Sequence, residues 1–401
     1  MIERIRFGSS SEIEFEPPDV LMRIDCAAKS GQSLDDPSAA ASVAMMDPLD
    51  FPAVSSAVID GDKIVIAVGQ GIPRPDLVVS GIVGALVNDV SAEIQILCEE
   101  TRTARSIRRT VSDVQCLAHD PTDTDQLAYL AATKSGKPIY LNRAVVDADF
   151  LIPVGCLRPQ ESFGYVGTVG NVLEAFTDTR TLSEHRRIYL GTNERRRGRV
   201  RSEAQEVAWS MGNRFAVQVL AGRAGTILQV LAGEVDRVSR DGQALAERTW
   251  RCSVPQRTAI VVAAIEGPSE QQTWANVAQA LTSAQRITEP DGSILICSQV
   301  PEPADPILRR IEANSIQSTE ETEVPLDDDG WTASRLAMAR RDARVYLYND
   351  AGQSQVECDG IVHIESDAEV RRLILRHTSC TILGNAQYAV PTVRQEEAAG
   401  V

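Results

Sequence analysis

The chain has 401 residues, 43% of them hydrophobic and 24% charged, the balance of a water-soluble globular protein long enough for two or three domains. A formal charge of -16 excludes general affinity for nucleic acid, whose phosphate backbone needs a basic surface. No run of about 18 consecutive apolar residues occurs and the N-terminus MIERIRFGSSSEIEFEPP has no apolar signal core, so no membrane partner is expected and a cytoplasmic location follows by default.

After a polar N-terminal stretch, KIVIAVG (63–69) is a short apolar run closed by glycine, which predicts a buried strand. The turn GQGIPRP follows, then an apolar helix over about Leu77–Leu86, with further strands at Glu93–Cys98 and Phe150–Val154. Such alternation is the pattern of an α/β sheet covered on both faces. Ser202 and Gln205 have the spacing of a capping box, opening a helix that runs to about Met211. RFAVQVLAGRAGTILQVLAG then reads as two strands around a glycine turn, a hairpin, and a helix follows over about Glu234–Arg248. A second α/β pattern begins at Thr258 with TAIVVAAIE as strand, WANVAQALTSAQR as helix and SILICSQ as strand. The acidic stretch STEETEVPLDDDGW reads as a solvated loop, after which RVYLY, a helix near Glu369–His377 and CTILG complete the pattern. The expected boundary lies near residue 255, giving domains 1–255 and 256–387, with 388–401 returning to the first.

Only Lys29, Lys63, Lys134 and Lys137 are lysines; every other basic residue is arginine, which stays protonated and cannot form an imine or amide link at neutral pH. Covalent lysine chemistry is thus confined to the first third of the chain. The eight cysteines form no C-x-x-C pair, and several sit in apolar runs such as GSILICS, so buried free thiols are expected. Asp120, Asp123 and Asp125 cluster in one turn, where aspartates usually bond their own backbone rather than a cation.

The block HDPTDTDQLAYLAATKSGKPIYLNRAVVDADFLIPVG (119–155), with VGQGIPRP before it and RPQESFGYVGTVG after it, resembles the nickel-dependent lactate racemase family. The resemblance implies a two-domain α/β architecture with an interdomain cleft. It also implies a nickel-pincer nucleotide tethered to a lysine, with two histidines exchanging the hydroxyl proton of a 2-hydroxy acid. Imidazole suits that work because it titrates near neutrality. At the matching positions this chain has Thr103 and Gln160 for the two histidines and Gly170 for the tethering lysine. A threonine hydroxyl does not titrate in the working range, and glycine has no amine to offer. Gln70 takes the place of an aspartate, and Arg74 stands one residue from the arginine that binds the substrate carboxylate. Asn276 and Gln279 fall where the family has Gln-x-x-Lys in contact with substrate. Pro159, Gly164, Tyr165 and Gly167 match the loop beside the nucleotide. His185, in the polar sequence LSEHRR, lies one residue short of the spacing of a nickel-ligand histidine, and a single histidine more often belongs to a helix surface or cap than to a metal.

Glycines at 164, 167 and 170 ahead of the helical NVLEAF would let backbone N–H groups approach an anion, and tight packing of the turn accounts for them equally well. Two arginine clusters, Arg102, Arg105, Arg108 and Arg109, and Arg195, Arg196, Arg197, Arg199 and Arg201, read either as anion or partner surfaces or as solvated faces. The sequence therefore points to a racemase-like scaffold that binds a small anionic ligand in its interdomain cleft through residues such as Arg74 and Arg102. No bound cofactor is expected. Two other readings stay open: a racemase or epimerase holding a nickel-pincer nucleotide non-covalently with His185 as ligand, and an interaction module with arginine-rich surfaces. Oligomeric state leaves no trace in the sequence.

Overall fold

The apolar runs KIVIAV and TAIVVAA become central strands of two separate sheets. The computed structural model describes residues 3–16, 22–26, 31–87, 92–133, 136–157, 159–160, 164–165, 168–190, 194–301, 327–350 and 361–394. The chain opens with the hairpin β1 (Glu3–Phe7) and β2 (Ser11–Phe15), then β3 (Met22–Cys26), α1 (Pro37–Met46) and the short α2 (Val54–Ala57). Strand and helix alternate through β4 (Lys63–Val68), α3 (Pro75–Val87), β5 (Glu93–Cys98), α4 (Thr101–Thr110) and β6 (Gln115–Ala118). The hairpin β7 (Leu127–Ala132) and β8 (Pro138–Asn142) and the short α5 (Arg143–Val146) lead into β9 (Phe150–Leu157). A ribbon of β10 (Pro159–Gln160) and β11 (Gly164–Tyr165) precedes α6 (Thr168–Phe176), α7 (Thr179–Leu190) and α8 (Glu194–Ser210). Then come β12 (Phe215–Ala221), β13 (Ile227–Glu234), α9 (Val235–Trp250), β14 (Arg251–Val254), β15 (Thr258–Ala264), α10 (Trp274–Gln285) and β16 (Thr288–Cys297). The last elements are α11 (Asp328–Asp342), β17 (Arg344–Tyr348), β18 (Ile361–Ile364), α12 (Asp367–Leu375), β19 (Ser379–Leu383) and β20 (Val390–Val393).

The chain divides into two compact units, one comprising Gly31–Gly222 and Thr226–Ala246 (the β4 unit), the other Met1–Ser30, Arg223–Gly225 and Glu247–Val401 (the β15 unit). In the β4 unit a six-stranded sheet has the order β13-β12-β9-β4-β5-β6, parallel except for the antiparallel β12–β13 pair. Val65, Ala67, Leu97 and Leu151 on one face pack against Leu173 and Phe176 of α6 and Val207 of α8. Helices α1 and α3 approach so closely that a Cβ on Gly81 would lie 2.1 Å from the Ser38 carbonyl oxygen, which only glycine allows.

The β15 unit holds a second six-stranded sheet, all parallel, in the order β18-β17-β16-β15-β19-β3. One face packs Val277 and Leu281 of α10 and Leu336 of α11. The opposite face buries Ile5, Phe7, Ile13 and Phe15 of the N-terminal hairpin beside Val370 and Ile374 of α12. Parallel strands covered on both faces explain why the central strands read as continuous apolar runs.

This division differs from a single cut near residue 255. β3 pairs with β19, and β20 pairs with β14, so the N-terminal 30 residues and the segment after residue 387 both lie with the β15 unit. Ladders between strands so distant in sequence leave no local signature. Ser202 does not cap a helix: α8 starts at Glu194, and the Ser202 hydroxyl donates to the Gly198 carbonyl one turn back. The acidic stretch is also not all loop. Residues 318–326 lie outside the described residues, but Asp327 caps α11 by accepting from the Gly330 N–H, with Asp328 and Asp329 in the first turn. Acids in that turn and Arg340 and Arg341 in the last complement the helix dipole. The free-thiol expectation holds for Cys98, Cys116, Cys156, Cys297 and Cys380, all buried, whereas Cys252 is disulfide-bonded. Among the described residues no helix is long and apolar enough to cross a membrane.

Candidate functional site at the carboxyl edge of the β4 sheet

In a parallel sheet with helices on both faces, ligands sit where strands end and loops begin, beside the point at which strand order reverses. In the β4 unit that point lies between β4 and β9, since β5 and β6 continue to one side and β9 returns to the other. The ladder extends past the strand ends: Gly69 N–H donates to Val154 O, Glu99 N–H to Val68 O and His119 N–H to Cys98 O. The loops after β4, β5 and β6 are therefore fixed side by side.

Gln70 and Glu99 join the first two. The Gln70 backbone N–H donates to Glu99 Oε2 at 2.7 Å and its side-chain Nε2 to Oε1 at 2.9 Å. Both carboxylate oxygens are thus engaged by one residue. Further along the same loop Arg74 opens α3, its carbonyl accepting from the Leu77 and Val78 N–H groups. Its φ of 46° is left-handed, a conformation an arginine adopts at a cost, and it stands between Pro73 and Pro75. The Arg74 side chain is 56% exposed, with Nε 3.5 Å from Asp76 Oδ1.

Arg102 and Thr103 sit in the first turn of α4, after β5. Arg102 is 53% exposed and reaches Glu100 Oε2 at 3.7 Å, while Thr103 is buried and donates its hydroxyl to the same oxygen at 3.1 Å. Of the remaining arginines on this helix, Arg108 donates through Nε and Nη2 to the Cys116 carbonyl, and Arg105 and Arg109 face solvent. In the second cluster Arg197 donates to the Tyr189 carbonyl, and Arg195 and Arg199 are exposed. The side chains of Arg196 and Arg201 lie outside the described residues.

His119 shows what the best-matched block does. Its Nε2 donates to the Thr177 carbonyl at 2.9 Å, and its Nδ1 accepts from Asn142 Nδ2 at 3.1 Å, which fixes the Nε2–H tautomer. Asn142 also caps α5 through the Ala144 N–H, and the Thr177 hydroxyl donates to the Tyr140 carbonyl. Burial holds the imidazole pKa below its ordinary value, keeping the ring neutral in this brace. Asp120 accepts from the Thr122 N–H and hydroxyl, and Asp123 from the Asp125 N–H, so these aspartates shape their own turn.

Gln160, Gly164 and Tyr165 fall on the β10–β11 ribbon after β9, with Gln160 opposite Gly164; their side-chain surroundings and Gly167 lie outside the described residues. Gly170 does not precede the helix as its spacing suggests, because α6 already begins at Thr168. His185 is also not a surface histidine. α7, capped by Asp178, buries it to 2% exposure, and among the described residues neither ring nitrogen has a hydrogen-bond partner. Its Nε2 lies 3.8 Å from Glu203 Oε1, and Lys137 Nζ stands 4.0 Å from the same oxygen and 2.7 Å from Glu184. The His185 ring, and beyond it Lys137, hold the Glu203 carboxyl below its ordinary pKa. Leu182, His185, Arg186 and Tyr189 share one helical face, a spacing visible in the sequence that marks the residue as inward.

Asn276 and Gln279 belong to the β15 unit, where both are buried and used internally. Asn276 Nδ2 donates to the Gln271 carbonyl at 2.8 Å, and Gln279 Oε1 accepts from Arg335 at 3.1 Å. The resemblance implies a nickel-pincer nucleotide. Gly170 offers no amine for its tether, and among the described residues no group of three or more His, Cys, Asp or Glu side chains could hold a metal ion. His185 Nε2 faces the Glu203 carboxylate, and the ring is buried among packed helices rather than at an open coordination position. These residues do not fit the tethered group.

A family model described as the lactate racemase N-terminal domain matches residues 8–198. The fold is similar to that of the lactate racemase apoprotein from Thermoanaerobacterium thermosaccharolyticum, with a TM-score of 0.79 at 15% identity, covering 98% of this chain and 100% of that one. A crystallised protein from Thermotoga maritima is also similar, with a TM-score of 0.65 at 11% identity over 91% of this chain and 100% of that one. No curated protein sequence matches. Residues 8–198 thus match the lactate racemase N-terminal domain, and the chain shares the fold of the lactate racemase apoprotein over nearly its whole length.

Proposed function

We propose that this chain is a lactate-racemase-like scaffold that no longer racemises 2-hydroxy acids and instead binds a small anionic ligand at the carboxyl edge of the β4 sheet. The observation that carries the reading is Arg74, an arginine held in a left-handed conformation between two prolines at the switch point, with more than half its side chain open to solvent. Backbone strain retained at such a position is characteristic of functional sites. Arg102, in the first turn of α4 after the neighbouring strand, is the second cation. Their contacts to Asp76 and Glu100 are solvent-exposed pairs at 3.5 and 3.7 Å, which stabilise little and leave both guanidinium groups ready for a stronger oxyanion. Thr103 and Gln160 provide no base on either face of a substrate carbon, so hydroxyl deprotonation has no agent among the residues that the resemblance points to. The test is calorimetric titration with small carboxylates, lactate and malonate, alongside a chiral assay for lactate racemisation. No racemisation is expected, and Arg74→Ala with Arg102→Ala should weaken carboxylate binding by about tenfold or more. Unchanged affinity in the double variant would place the ligand elsewhere.

A second reading rests on His185, whose buried nitrogens have no hydrogen bond among the described residues. If nickel were bound stoichiometrically in the wild type and lost in His185→Ala, a non-covalently held nickel-pincer nucleotide would replace the binding-protein reading.

A further inference from the structure

The neighbouring strands β5 and β6 bring two free cysteines into contact. Cys98 and Cys116 are both buried, with their sulfurs 3.9 Å apart, and Cys116 Sγ also lies 3.7 Å from the Ala104 carbonyl oxygen of α4. A disulfide needs sulfurs at about 2.05 Å, so the pair is reduced and the remaining closure has to come from a strand. β6 can supply it. It is the edge strand of its sheet, four residues long and paired with β5 alone, so moving it disturbs no second ladder.

The two thiols are not equivalent. Cys98 lies on the inner strand at 0% exposure, whereas Cys116 is 5% exposed on the edge. Arg108 donates to the Cys116 carbonyl through Nε at 2.9 Å and Nη2 at 2.7 Å, which brings its guanidinium to this cysteine. The Cys98 hydrogen bond, and after it the Arg108 charge, hold Cys116 below its ordinary pKa, while the same hydrogen bond and burial push Cys98 up. Burial alone pushes up a thiol such as Cys380, the behaviour of an inert structural cysteine. Both members of the pair also border the candidate site. Glu99, which grips Gln70, directly follows Cys98, and the His119 N–H donates to the Cys98 carbonyl.

We propose that Cys98 and Cys116 are a reversible dithiol–disulfide switch, closed by hydrogen peroxide and reopened by a dithiol reductant. The Cys116 thiolate attacks one peroxide oxygen and the O–O bond breaks. Hydroxide leaves and is protonated to water, and Cys116 becomes a sulfenic acid. Cys98 then gives up its proton as its sulfur attacks the Cys116 sulfur. The S–O bond breaks, and the departing hydroxide takes that proton as a second water. Two thiols thus lose two electrons and one peroxide becomes two waters; a dithiol reverses the reaction by exchange and is itself oxidised. Closure draws β6 toward β5 and fixes the edge strand covalently under α4. The switch stands on this strand geometry and not on the anion site proposed above, so its test reads thiol chemistry and hydrogen exchange.

The full folded chain is treated with hydrogen peroxide, alkylated, digested and mapped by mass spectrometry. A peptide pair joined through Cys98 and Cys116 is expected, two hydrogens lighter than the sum of its parts and separated again by dithiothreitol. Hydrogen exchange in β6 should be slower in the oxidised protein and return to its starting rate on reduction. In Cys98→Ala the sulfenic acid should persist on Cys116 and be trapped by dimedone, whereas Cys116→Ala should leave Cys98 without an adduct. Arg108→Gln changes an exposed side chain, keeps both thiols and should slow disulfide formation several-fold, which provides the test should either alanine variant fail to fold. No joined peptide in the folded protein, or one formed only after unfolding in urea, would overturn the proposal. So would a dimedone adduct on Cys98 in place of Cys116.

Discussion

Gly233→Ala is expected to destabilise the β4 unit by on the order of 4 kcal/mol, enough to leave much of it unfolded near body temperature. Gly233 adopts φ 145°, in the region that L side chains avoid, and a Cβ there would stand 2.2 Å from the Leu49 carbonyl oxygen and 2.5 Å from the Leu49 nitrogen. Those atoms are backbone, and they are held: Leu49 N–H donates to the Ala232 carbonyl, and the Leu49 carbonyl accepts from Glu234 N–H. The clash therefore cannot be relieved by a side-chain rotation. Gly61 provides the control, with φ 92° and nothing within 4 Å of where its Cβ would lie, so Gly61→Ala isolates conformational strain at about 1–2 kcal/mol. Urea denaturation followed by circular dichroism separates the two. Equal effects in the two variants would contradict the close approach of Leu49.

Arg186→Ala is expected to cost about 3–5 kcal/mol, because it removes one member of a buried ion pair and leaves a largely desolvated carboxylate behind. Arg186 is 2% exposed, and its Nε lies 3.6 Å from Glu174 Oε1, whose side chain is 12% exposed. The pair joins α6 to α7, the helices that follow the β10–β11 ribbon, so its loss should also loosen the matched loop. Replacing both residues by apolar ones, Arg186→Met with Glu174→Leu, should recover most of the lost stability, as substituted buried pairs often do. Hydrogen exchange of peptides spanning α6 and α7 gives the readout: protection should fall sharply in the single variant and return in the double. A single variant with wild-type protection would mean that the two charges are not desolvated as the geometry requires.

The sequence makes the two sheets legible and their membership less so. KIVIAV and TAIVVAA announce themselves because strands buried on both faces need no polar alternation, and the β12–β13 hairpin is marked by its glycine turn. ERIRF and SEIEF also alternate cleanly, with Ile5, Phe7, Ile13 and Phe15 inward, but five-residue strands dense in charge look like a polar tail until the core they cover is known. α11 is hidden for a different reason. Its buried positions include Gly330, Thr332, Ala333, Ser334, Ala337 and Ala339, small residues that give no apolar periodicity, and only its end charges betray it.

The site divides in the same way. Arg74, Arg102 and Thr103 are positioned by local motifs, Arg74 in the loop after β4 and the other two in the first turn of α4 after the neighbouring β5. The Gln70–Glu99 lock depends on two strand ends being neighbours, a fact of topology rather than of sequence. His185 is masked by its polar flanks, although its helical spacing from Leu182 and Tyr189 places it on the buried face. His119, Asn142 and Thr177 show the converse: polar residues in the well-matched block and beside it serve to brace the fold.

The measurement that bears most directly on the central claim is native and denaturing mass spectrometry with nickel analysis, on protein co-expressed with the enzymes that make the nickel-pincer nucleotide. A racemase scaffold stripped of its tether and bases should give the apoprotein mass under both conditions and no stoichiometric nickel. A bound nucleotide and one nickel per chain, released on denaturation, would contradict that account and make the protein a metalloenzyme with an untethered cofactor.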